Sequence, residues 1–183
     1  MGNLWIKGRS CLLVLCVLFM TVVTASCGAP RVERDFRGEG FSATVAWKVG
    51  ELDAVADVTV SAPDMGTARA VTVTLREPAV LADTVVERSR EGIVAVSVHG
   101  MTIQTDAAEA LLAPVQVMLG GGELQGVCQT ELGGRTVLYA EAGSGEESRC
   151  YEFYLDPESF APLRVVYGER VVEVRAFNTA SNE

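Results

Sequence analysis

From Phe41 to the end of the chain, apolar and polar side chains alternate with a period of two in residues of high strand propensity. Because successive side chains of a strand point to opposite faces, this pattern commits the chain to a sheet with one buried and one wet side. Phe41, Ala43, Val45 and Trp47 form one row, and Ser42, Thr44 and Lys48 the other. A second strand is expected from Ala54 to Ser61. In a third, Val71, Val73 and Leu75 alternate with Thr72, Thr74 and Arg76 until Pro78 removes a ladder donor. Further strands are expected at Thr84 to Arg90, Ile93 to His99, Met101 to Gln104, Leu124 to Leu132, Arg135 to Ala142, Ser148 to Leu155, Leu163 to Tyr167 and Arg170 to Phe177. The glycine-bearing loops between them are short, which makes neighbours antiparallel. An antiparallel sheet of about ten twisted strands tends to curl.

The period changes once. Leu111, Leu112, Val115, Met118 and Leu119 recur at helical spacing, with Asp106 and Glu109 placed as a capping box. Pro114 would cost about 3 kcal/mol inside a regular helix, so two short pieces meeting at Ala113 and Pro114 are expected. The fold class is therefore mainly β (α+β): a curved antiparallel sheet whose concave apolar face is covered by a short broken helical insert.

The N-terminal residues carry a different signal. Lys7 and Arg9 precede an almost unbroken apolar run from Cys11 to Val23, of the length of an export signal, followed by Thr24, Ala25, Ser26, Cys27 and Gly28. This resembles the bacterial lipoprotein signal, in which a cysteine after small residues receives a diacylglyceryl group. Thr24 stands where such signals usually have Leu or Val. The resemblance implies a signal over 1–26, lipidation at Cys27, palmitate among the acyl chains, and attachment to the extracytoplasmic face of the cell membrane. Residues 27–40 are polar and charged and are read as a tether, with the folded domain at 41–178 and a frayed tail at 179–183. Losing Lys7 and Arg9 takes the formal charge from -9 to -11. Such a domain repels phosphate backbones, which excludes nucleic acid as a partner.

Three stretches carry a further resemblance: FSATVAWKVGELDAVADVTVSAPD (Phe41 to Asp64), REPAVLADTVVERSREGIVAVSVHGMTI (Arg76 to Ile103) and YEFYLDPESFAPLRVVYGERVVEVRAFN (Tyr151 to Asn178). In this order they resemble the LolA-like superfamily of lipoprotein carriers and lipid-binding lipoproteins, and in particular its smaller clostridial-type members. The resemblance implies an open half-barrel sheet around helices, with an apolar cavity for acyl chains. The chain is shorter than the carriers of that superfamily and has its own lipidation signal, so soluble shuttling does not follow.

Alternation alone nominates Trp47, Val73, Leu75, Ile93, Leu111, Leu112, Phe153 and Phe177 as residues lining such a cavity, although each is equally explained as core. Little else suggests chemistry. His99 is the single histidine and has no ligand cluster or nucleophile at readable spacing. Glu146, Glu147, Asp156 and Glu158 fall in expected loops, too sparse for a calcium site. Cys128 and Cys150 would meet an oxidising compartment, but the strand from Arg135 to Ala142 should separate them, and alternation groups them with different neighbours. The expectation is a lipid-anchored envelope protein, without cofactor, metal or enzymatic activity, that binds an acyl chain, a lipid or a lipidated polypeptide. The alternative is a protein-interaction module with a filled core, acting by strand addition at an open sheet edge.

Overall fold

The computed structural model describes residues 32–65, 68–143 and 150–179. Cys27, the expected signal over 1–26, and the Glu146 and Glu147 loop lie outside the described residues.

The chain forms one open, curved antiparallel sheet of 11 strands. In chain order these are β1 (Phe41–Val49), β2 (Leu52–Val60), β3 (Val71–Glu77), β4 (Val85–Arg88), β5 (Val94–Val98), β6 (Met101–Gln104), β7 (Gln125–Leu132), β8 (Arg135–Ala142), β9 (Tyr151–Leu155), β10 (Pro162–Tyr167) and β11 (Arg170–Thr179). Their order across the sheet is β6-β5-β4-β3-β2-β1-β11-β10-β9-β8-β7. Every neighbouring pair but one is consecutive in sequence, as short hairpins dictate. The exception is β1 beside β11, which pairs Phe41 with Thr179. Thr179, expected in the tail, therefore belongs to the sheet.

The helical insert is divided where the proline stands. A 3-10 segment at Asp106–Leu112 meets α1 at Ala113–Leu119, with Pro114 in the first turn of α1, where its missing N–H costs nothing. The N-cap is Thr105, whose hydroxyl accepts from the Ala107 N–H, one residue earlier than the Asp106 cap expected from the capping-box pattern. The 3-10 segment packs on β4 and β5 and α1 on β10 and β11, so the insert reaches across the apolar face.

That face is filled by the chain itself. Val58, Val73 and Val86 run across β2, β3 and β4 opposite Ala43, and Leu112, Val115 and Met118 pack down on the sheet with them. The folded body starts earlier than Phe41. Phe36, on a 3-10 turn (Phe36–Gly38), is only 2% exposed and lies edge-on to Phe41, Phe153 and Phe177 at centroid distances of 5.7, 6.3 and 5.5 Å. A residue assigned to the tether is thus part of the core.

Strand phase was misread in one place. β5 turns Val94 inward, and Val96 packs against the same core, whereas Ile93 precedes the strand and is 50% exposed. His99 is not in a strand row; it occupies the β5–β6 turn with φ 50°, followed by Gly100 at φ 82°.

Candidate functional site

Among the described residues, a cleft of about 590 Å³ opens at the end of the sheet where the β1–β2 and β10–β11 turns approach the helical junction. Trp47 stands at its floor, on the last inward position of β1, opposite Ala54 and Val172. The insert contributes Ala110, Ala113, Pro114 and Val117 as an apolar wall. Lys48, Glu109, Glu169 and Arg170 supply charges of both signs around it. Pro114 suits the wall because it offers a rigid apolar surface with no backbone donor.

Trp47 is 7% exposed, and its Nε1–H is buried without an acceptor. Leaving a buried donor unpaired costs about 1–3 kcal/mol. An acceptor entering the cleft would recover that cost, which makes the indole the natural point of recognition.

The rest of the insert is held in place by Arg37. Its guanidinium lies 4.9 Å from the Phe153 ring centroid, donates to the Gly120 carbonyl oxygen at 2.8 Å and pairs with Asp35 at 2.6 Å. Burial pushes the Asp35 carboxyl up, but the hydrogen bonds and charge of Arg37 outweigh it and hold Asp35 below the usual carboxylate range. A cation on a carbonyl at the end of α1 also opposes the helix dipole. Gly120 itself is obligatory: a Cβ there would come within 2.2 Å of the Tyr151 ring, which stacks on Tyr167 at 4.1 Å.

Of the eight residues nominated from alternation, Trp47 lines the cleft. Val73, Leu75, Leu112 and Phe153 are fully buried against other side chains, and Leu111 and Phe177 are half-buried on the same core. Ile93 is far from the cleft's lining, at the turn before β5. Sequence reading missed Phe36 and Arg37, which sit in a charged stretch; the lone aromatic in that stretch was the available signal.

On the outer face, Tyr139 donates to Glu141 at 2.5 Å, and burial, then Glu141, pushes its phenol well above the usual range. Burial and Glu141 also raise the Cys150 thiol, which keeps it in the weakly reactive protonated form. Cys128 and Cys150 are free. β8 separates their strands as expected, yet Cys128, Tyr139 and Tyr154 lie directly across from one another on one face, because a register shift between Gln125 and Cys128 resets the phase of β7. The described residues hold no cluster fit for a metal ion and no helix long and apolar enough to cross a membrane.

No protein-family model matches the chain, and no curated protein does. Solved structures do. MucB is 14% identical, with a TM-score of 0.51 over 80% of this chain and 55% of that one. The MucA/MucB complex of Pseudomonas aeruginosa is 15% identical, with a TM-score of 0.46 over 81% and 54%. A domain from Vibrio parahaemolyticus, assigned provisionally to outer membrane lipoprotein sorting, is 8% identical, with a TM-score of 0.40 over 80% and 87%. We rest nothing on the last two. This chain spans about half the length of the MucB chains it matches. What the first establishes is fold: over four-fifths of its length the chain shares the open, curved sheet of MucB, the architecture that the LolA-like resemblance implies.

Proposed function

We propose that the protein is a non-enzymatic binding protein of the cell envelope, anchored to the extracytoplasmic face of the membrane through acyl chains on Cys27. In this reading it takes an acyl-bearing ligand, either a lipid or a lipidated polypeptide, in the cleft beside the helical insert. The observation that carries the reading is the unpaired Trp47 indole N–H in a cleft of about 590 Å³, within the range of roughly 300–1,000 Å³ typical of small-molecule sites. An acyl chain would lie along Ala110, Ala113, Pro114 and Val117, and its carbonyl or carboxylate would accept from the indole. A second reading, a module for protein partners, draws support from the filled interior, where Phe36 and Met118 occupy the space a deeper lipid pocket would need.

Trp5 lies in the segment expected to be removed, so Trp47 is the one tryptophan of the mature chain and reports on the cleft directly. Palmitate added to the chain lacking residues 1–27 should shift Trp47 emission saturably. Trp47→Phe, followed by displacement of a fluorescent fatty acid, should weaken binding about 3- to 10-fold, the value of one hydrogen bond. Equal affinity of the variant, or no saturable response, would sink the cleft reading.

A further inference from the structure

We propose that the β6 edge is a docking strand for an extended, basic segment of another polypeptide, which adds antiparallel to it. Within the described residues β6 pairs with β5 alone and closes one side of the sheet. The Thr105 N–H donates to the Val94 carbonyl at 3.1 Å. With Val96 opposite Ile103 and Val98 opposite Met101, alternation makes these the hydrogen-bonded pairs of the ladder. Thr102 and Gln104 therefore point their N–H and C=O groups away from the sheet, as a template for a further strand.

The two edges of the sheet are guarded differently. β7 carries a register shift between Gln125 and Cys128, a glycine at φ 62° (Gly126) and the charged Glu131. These are the devices by which natural sheets blunt an edge. Met101–Gln104 has no charge, proline or bulge. All four of its residues are exposed, with Met101 at 69% and Ile103 at 66%. Ile103 continues the inward row of Val96, Val86, Val73 and Val58, so a partner strand would set an apolar side chain beside it and extend the core.

Area and charge choose the occupant. A four-residue edge offers much less than the roughly 1,000 Å² of a stable interface between folded proteins, and two chains of formal charge -9 repel each other. A second copy is therefore a poor fit. Asp106 and Glu109, both exposed just beyond β6, favour a basic residue at the N-terminal end of an antiparallel partner segment.

The test uses the full chain in phosphatidylcholine nanodiscs and a fluorescein-labelled heptapeptide of alternating valine and threonine with lysine at its N-terminal end. Saturable anisotropy is expected. Thr102→Pro removes an outward N–H and no bond to β5, and should weaken binding about tenfold or more. Ile103→Lys should weaken it as well. If circular dichroism shows that the proline variant has lost its sheet, Ile103→Lys decides, because its side chain is exposed. Equal binding by wild type and the deciding variant, or no saturation at millimolar peptide, overturns the proposal. So does a concentration-dependent dimer, abolished by Thr102→Pro in sedimentation, which assigns the edge to a second copy. None of these readouts involves Trp47, so failure here is separable from failure at the cleft.

Discussion

His99 adopts φ 50° in a two-residue turn with Gly100 at φ 82°. Both positions being left-handed is the geometry that matches the twist of a tight hairpin, and asparagine followed by glycine fits it best. Histidine tolerates this region better than most side chains but pays a steric cost there. Replacing His99 by Asn should therefore stabilise the protein by about 0.5–1 kcal/mol. A urea midpoint that falls in the variant would contradict a purely conformational role for this histidine. Its solitude was legible in the sequence and spoke against catalysis; its place in the turn was not, because alternation continued through it. Trp47 is the reverse case: its inward position was readable, whereas its unpaired indole depends on atoms from β11 and α1 that only folding brings near.

At the scale of the element, pattern reading worked where a physical rule is local. Pro114 divided the insert, and Pro78 follows the last residue of β3. It failed where two registers fit one composition. Ile93 to Val98 is apolar at both phases, and the turn from Ser89 to Gly92, closed by a hydrogen bond from the Ser89 N–H to the Ile93 carbonyl, turns Val94 rather than Ile93 inward. The 3-10 turn at Phe36–Gly38 was hidden for a different reason. Three residues cannot display a period, and only contacts with Phe41, Phe153 and Phe177 show that they belong to the core. Phe36→Ala should cost about 3–5 kcal/mol, as for other buried aromatics. Thermal unfolding of the variant at the wild-type midpoint would return this segment to the tether.

At the scale of the molecule, the proposed anchor and the proposed sites make separate demands. Cys27→Ser should move the protein from the membrane fraction to the soluble fraction while leaving peptide and fatty-acid binding unchanged; retention on membranes at the wild-type level would refute lipidation as the anchor. Two acyl chains hold a protein at a bilayer far better than one, because each buried methylene contributes about 0.8 kcal/mol. The sequence by itself determined that this chain is an antiparallel sheet with one wet face and a broken helical cover, since periodicity, turn residues and proline act on neighbours along the chain. Tertiary structure alone decided that β1 closes against β11, that Phe36 and Arg37 fold back onto the apolar face, and that the space left open is a cleft at one mouth rather than a hollow beneath the insert. Each of these depends on whether side chains far apart in sequence fill the same volume, and alternation within a strand is blind to volume.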